Sequence, residues 1–134
     1  MKKYIYLVAL IFVAMSCQND DDGTPNNEPT LEGPWSLVNV SGGLAGVDQD
    51  FELGIITWDF DIETQQLTIV NTNTDVVFDG YPSGVYDFQA LTNGEITTIV
   101  IDDNINLEIN VLTNSQLVLD EGIAFDGFLY TFTR

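Results

Sequence analysis

The sequence predicts an all-β domain, an up-and-down antiparallel meander closed into a small β-barrel of eight or nine strands. Three observations carry this reading. Apolar and polar residues alternate with a period of two in several stretches, the pattern of half-buried antiparallel strands. No stretch repeats apolar residues at i, i+3, i+4 and i+7 over three turns, so no amphipathic helix is expected. The connections are mostly short and rich in Asn, Asp, Gly, Ser and Thr, as hairpin turns require.

The first strand is expected near 34–41. The segment 41–51 follows, with glycines at 42, 43 and 46, and reads as the one long connection, of the kind that forms lids or binding elements. The next strand, near 53–63, carries Ile56, Trp58, Phe60 and Ile62 on one face and Asp59, Asp61 and Glu63 on the other. Further strands are expected near 66–71, 76–79, 85–91, 95–101, 105–112, 116–120 and 127–133. Ile105, Leu107, Ile109 and Val111 alternate with Asn106, Glu108 and Asn110, while Phe128, Tyr130 and Phe132 give the last strand an aromatic face. Turn residues occupy 63–66, 71–75, 79–84, 92–94, 102–104 and 113–115. Successive hairpins make a meander, and a long meander removes its edges by closing. A two-sheet sandwich would need longer crossovers than most of these turns. Alternate loops of a barrel share one end, which groups 41–51 with 71–75, 92–94 and 113–115 around the open mouth.

Three regions are expected: 1–16, 17–30 and 31–134. Lys2 and Lys3 precede an apolar run from Tyr4 to Met15, with small Ala14 and Ser16 just before Cys17. That is the layout of a secretory signal peptide, and the run is too short to cross a bilayer, which takes about 20 residues. Cys17 is the only cysteine, so it is a free thiol, an intermolecular bridge or a modified residue. Placed directly after the boundary, it resembles the acylated first residue of a bacterial lipoprotein, with Ala14 standing where the usual lipobox has Leu. The stretch 17–22, Cys-Gln-Asn-Asp-Asp-Asp, resembles the acidic surface-export signal of Bacteroidota lipoproteins. These resemblances imply a lipid at Cys17, an outer-membrane anchor and a domain facing the cell exterior. Residues 18–30 hold four acids, three Asn, two Pro and no aliphatic side chain, the composition of a disordered tether. From Cys17 to Thr30 it would reach at most about 45–50 Å.

Once Lys2 and Lys3 leave with the signal segment, 21 acids face a single arginine, Arg134, a formal charge of −20. Nucleic acid is excluded as a partner, because binding it requires cationic side chains that displace counterions from phosphate. Anionic lipid would repel such a chain, whereas a cationic partner or a divalent cation suits it. With no histidine and one cysteine, there is no material for a Ser-His-Asp triad, a Cys-His pair or an imidazole or thiolate zinc site. Asp59, Asp61 and Glu63 are the most suggestive carboxylates for glycoside chemistry, but they share the polar face of a strand and read as a solvated surface. A non-enzymatic protein without a cofactor is expected. Asn71, Asn73 and Asp75 space oxygen donors two apart, as calcium loops do, and Asp102 with Asp103 is a second candidate. Both lack the glycine and distal glutamate of an EF-hand, and turn formation explains them more simply.

The domain opens Leu31-Glu-Gly33-Pro-Trp35 and closes Phe132-Thr-Arg134. A Gly-x-Trp on the first strand with an arginine ending the last resembles the lipocalin pattern, and more closely the small lipocalin-like lipoproteins of Flavobacteria, within the Bacteroidota. The resemblance implies a calycin-type barrel in which Trp35 plugs the closed end and Arg134 lies across its ring. It also implies a small apolar or amphipathic ligand, with Leu44, Phe51, Trp58, Phe60, Tyr86 and Phe88 facing it. The chain lacks the Thr-Asp-Tyr motif of classical lipocalins and the helix after their barrel, and its domain has 104 residues. Small barrels are often filled by their own side chains, and Trp58, Phe60, Tyr86, Phe88, Phe128, Tyr130 and Phe132 are large enough to do so. Two functions are therefore weighed: an anchored ligand-binding barrel, and a filled barrel serving as a structural or protein-interaction module of the cell envelope. A calcium-binding surface protein is a minor third. A void beneath 41–51 would separate the first from the second.

Overall fold

The computed structural model describes residues 28–134; the signal segment, Cys17 and positions 17–27 of the expected tether lie outside the described residues. Nine strands follow one another: β1 (Gly33–Gly42), β2 (Val47–Asp50), β3 (Ile56–Asp61), β4 (Gln66–Asn71), β5 (Gly84–Asn93), β6 (Ile96–Ile101), β7 (Ile105–Leu112), β8 (Gln116–Asp120) and β9 (Phe128–Thr133). A single 3-10 turn, η1 (Ile123–Phe125), precedes β9. All pairings are antiparallel, in the order β1-β3-β4-β5-β6-β7-β8-β9, and β9 returns to β1 from Ser36↔Thr133 to Gly42↔Phe128. The result is a closed eight-stranded barrel with β2 as an extra strand on the upper half of β1. Closure leaves no edge along the seam where an open meander of this length would expose two.

The alternation expected from the sequence is what fills the barrel. Trp58 and Phe60 on β3, Leu67 and Ile69 on β4, Ile99 and Ile101 on β6, and Tyr130 and Phe132 on β9 all point inward and are buried. On β1 the phase slips: Trp35 and Leu37 are buried, and so is Val40 rather than Asn39. A bulge between Leu37 and Asn39, opposite Phe132 and Thr131, inserts the extra residue that makes this possible.

Two elements differ from the sequence reading, and together they change which loops share an end. The 41–51 segment is mostly a hairpin, not a loose connection. Gly42, Gly43 and Gly46 all have positive φ (121°, 68° and 64°), which turns the chain back so that β2 pairs with β1. The Asn39 amide donates to both Asp48 and Asp50 at 2.9 Å and holds the pair in register. Conversely, 76–79 forms no strand, because β4 pairs directly with β5 from Gln66↔Asp87 to Ile69↔Gly84. The chain is diverted before it can pair: the Asn73 N–H donates to Asn71 Oδ1 and the Asp75 N–H to Asn73 Oδ1, two successive Asx turns. With 72–83 a single connection, the alternation of ends shifts. The β1–β3, β4–β5, β6–β7 and β8–β9 connections share one end; 62–65, 94–95, 113–115 and both ends of the described chain share the other. The expected grouping of 92–94 and 113–115 with 41–51 is thus corrected, and Arg134 Nε donating to Asn114 O shows which end 113–115 occupies.

Candidate functional site

At the end where the described chain begins and finishes, Trp35 is fully buried and its indole N–H donates to Leu31 O at 2.9 Å. The Arg134 guanidinium lies 3.9 Å over the Trp35 ring centroid. Its nitrogens donate to Thr30 O (2.9 Å), Glu32 O (2.7 Å) and Asn114 O (3.1 Å), so one planar fork ties the segment before β1, the end of the last strand and the β7–β8 turn together. Arg134→Ala is expected to cost about 2 kcal/mol, from the ring contact and the charge-assisted bonds. That lowers Tm by about 10 °C for a domain of this size. Arg134→Lys keeps the charge without the fork and should recover less than half of the loss. An unchanged Tm in both variants would show that the stack contributes nothing.

The opposite end is closed by the β4–β5 connection. Phe78 stacks on Phe128 with centroids 3.9 Å apart and 13° between planes. Gly80, at φ 86°, lies so close to Tyr130 that a Cβ there would meet the ring at 3.4 Å. Tyr81 packs edge-on against Trp58 (5.6 Å) and beside Tyr130 (5.9 Å). Its hydroxyl donates to Glu121 Oε1 at 2.8 Å, while Tyr130 donates to the other oxygen, Oε2, at 2.7 Å. Burial first, then the Glu121 carboxylate, pushes both phenols well above the usual tyrosine range, and the closeness of Tyr81 raises Tyr130 further. The lid is therefore pinned across the mouth by two phenols on one carboxylate. The sequence marks 79–84 only as a turn; Tyr81, an aromatic between Gly80 and Pro82, is the available sign that it packs inward.

Between the two closures the interior is full. Thirteen apolar core side chains, from Trp35 and Leu37 to Tyr130 and Phe132, have 0 % exposure. A void wide enough to admit even water would leave free surface on the residues lining it, and these have none. Trp58 alone meets Phe60, Tyr81, Tyr130 and Phe132 at 5.0–6.2 Å between centroids. Its indole N–H is the one buried side-chain polar atom without a hydrogen-bond partner among the described residues.

The six side chains expected to face a ligand are scattered by this arrangement. Trp58, Phe60 and Phe88 belong to the packed core. Phe51 and Tyr86 are partly buried against its margin, Tyr86 with its hydroxyl on Pro82 O at 2.8 Å. Leu44 stands 88 % exposed at the tip of the β1–β2 hairpin. They line no common cavity. Two shallow outer grooves are present instead. One, of about 470 Å³, runs along the wall where β4 begins, lined by Thr64, Gln65, Asp87, Phe88, Asp102 and Asp103 among others. The other, of about 370 Å³, lies at the lid end between Asp50–Ile55 and Thr72–Asp75, with Phe51 and Ile55 in its lining.

The acidic and amide candidates are engaged as turn formers. Asn71 and Asn73 use their side-chain oxygens in the Asx turns, and Asn73 Nδ2 donates to Asp79 Oδ2 at 3.0 Å. Asp102 Oδ1 accepts the Asp87 N–H at 3.0 Å, and Asp103, at φ 56°, completes the β6–β7 turn. Asp61 accepts the Thr64 N–H at 2.9 Å, a bond that holds its carboxyl below the usual range. Among the described residues no group of three His, Cys, Asp or Glu is arranged to hold a metal ion. No helix among them is long and apolar enough to cross a membrane. Protein-family models, curated proteins and solved structures contain no match to this chain, so its function is read from its own geometry.

Proposed function

We propose that this chain is a lipid-anchored, cell-surface module of a bacterial envelope that works through the outside of a filled barrel, not by enclosing a small molecule. The observation that carries the second half is the solvent-free interior: thirteen core side chains at 0 % exposure beneath a lid whose Tyr81 rests on Trp58. An apolar ligand would have to displace both rings. The first half rests on the lipoprotein-like placement of Cys17 and on the resemblance to small flavobacterial lipoproteins. The chain enters the barrel beside Arg134, so a tether from Cys17 would leave the lid end pointing away from the membrane. The absence of histidine and the use of the Asp61, Asp102 and Asp120 carboxylates in turns support a non-enzymatic role.

Native and intact-mass spectrometry of the protein from its own host tests both halves. The expected result is a mature chain that begins at an acylated Cys17, with no small molecule retained on desolvation. An unmodified Cys17 would defeat the anchor, and a stoichiometric apolar adduct would defeat the filled-barrel reading.

A further inference from the structure

Large apolar side chains are exposed unevenly on this barrel. Leu44 (88 %), Leu53 (71 %), Val76 (105 %) and Phe125 (90 %) all stand on connections of the lid end, joined by the less exposed Phe78 and Ile123. Three of those connections converge on Phe128. Phe78 stacks on its ring, Gly43 lies so close beneath it that a Cβ would meet the ring at 2.9 Å, and the Gly43 N–H donates to Gly127 O at 3.0 Å. Leu44 and Phe125 therefore project from a braced platform and not from independent loops. Leu53 and Val76 flank the 370 Å³ groove, which has Phe51 and Ile55 in its lining.

The charge around this surface has one sign. Asp48, Asp50, Glu52, Asp75 and Asp126 are exposed on the same three connections. The only basic residue among the described ones, Arg134, is at the other end, with its guanidinium already on three carbonyls and a ring. An apolar platform ringed by uncompensated carboxylates fits one class of occupant. From this we infer that the lid end is a docking surface for a cationic protein segment, one that carries apolar side chains among lysines or arginines. The apolar chains cover Leu44 and Phe125. A lysine or arginine lays its aliphatic stem along Phe51 and Ile55 and brings its charged head to Asp50, Glu52 or Asp75. A second copy of this chain would set carboxylates against carboxylates, and an anionic lipid surface is repelled for the same reason. The inference rests on the proposed outward-acting role and specifies the surface and the partner chemistry of that role.

The test uses the protein as its host processes it, in phosphatidylcholine nanodiscs, titrated with fluorescent peptides at about 150 mM NaCl, with the signal of protein-free discs subtracted. The probes are an amphipathic leucine/lysine peptide, its leucine/glutamate counterpart, and a serine/lysine peptide of equal charge. The leucine/lysine peptide is expected to bind, the leucine/glutamate peptide not to, and the serine/lysine peptide to bind at least about tenfold more weakly. Leu44→Ser with Phe125→Ser should weaken leucine/lysine binding about tenfold. Leu91→Ser with Ile96→Ser, exposed at the opposite end, should leave it unchanged. All four positions are exposed, and circular dichroism confirms that both variants fold. Equal binding of the two lysine peptides, or equal effects of the two double variants, overturns the inference and leaves only a polyanion. Self-association lost in the Leu44/Phe125 variant points to a second copy, and vesicle binding lost in it points to a lipid face; either overturns the inference too. An unmodified Cys17 or a ligand-filled barrel would instead overturn the underlying role, without changing how the two double variants compare.

Discussion

Trp58→Ala is expected to destabilise the domain by about 3–5 kcal/mol, measured as the shift in a urea-unfolding midpoint. Trp58 is fully buried at the centre of the aromatic interior, within 5.0–6.2 Å of four other rings. One of them, Tyr81, belongs to the lid, so truncation empties the middle of the core and removes the floor on which the lid rests. Domains of this size are typically stable by about 5–15 kcal/mol, so the variant would sit near the folding threshold. Trp58→Phe should lose less than half as much. It leaves a smaller void and deletes the indole N–H that has no hydrogen-bond partner, and an unmade buried bond is itself worth about 1–3 kcal/mol. A cost below about 1 kcal/mol for Trp58→Ala would mean that the interior collapses freely, contrary to a core packed from wall to lid.

Above pH 10 the protein should lose stability steeply. Tyr81 and Tyr130 have folded-state pKa values raised above the ordinary value of 10.0, by burial first and by Glu121 second. In the unfolded chain both phenols ionise near pH 10, while in the folded chain they stay protonated. The folded state therefore binds more protons in that range, and the stability these groups contribute is complete below pH 10 and falls as pH rises. Buried Tyr130 accounts for about 1.4 kcal/mol per pH unit. Tyr81, partly exposed and so partly screened, contributes less. Tyr81→Phe/Tyr130→Phe lowers stability at neutral pH by removing the bonds to Glu121, yet its stability should be nearly flat from pH 10 to 11. A double variant that tracks the wild-type slope would place the alkaline sensitivity elsewhere.

Most of the barrel wall could be read directly along the chain. The inward face of β3, β9 and β7 as far as Ile109 is written in a period of two, and that pattern needs no knowledge of any distant residue. A bulge between Ile109 and Val111 then sets Leu112, not the expected Val111, against the core. The stretch 76–79 resembled those strands because Val76, Val77 and Phe78 are good strand formers. What decides its fate is pairing: β5 occupies the edge of β4 through Leu67↔Tyr86, and the Asx turns at Asn71 and Asn73 have already turned the chain aside. The same logic made a hairpin of 41–51, where three glycines at positive φ and the Asn39 amide supply the turn and the register. Trp35 and Arg134 were singled out by resemblance alone; the contact between them joins positions nearly a hundred residues apart. Glu121 carried no sign of its role, because a carboxylate between two phenols is defined by Tyr81 arriving from the β4–β5 connection and Tyr130 from β9.

By itself, then, the sequence determined what depends on neighbours along the chain: an all-β meander, the inward-facing side chains, the shortage of positive charge, and the absence of histidine or a second cysteine. Only the tertiary structure decided which loops share an end, which segment closes the mouth, and whether the barrel is hollow. Those outcomes depend on summed side-chain volumes and on strand pairings across the barrel. One segment that fails to pair exchanges the two ends, and the fit of Tyr81 over Trp58 closes the interior.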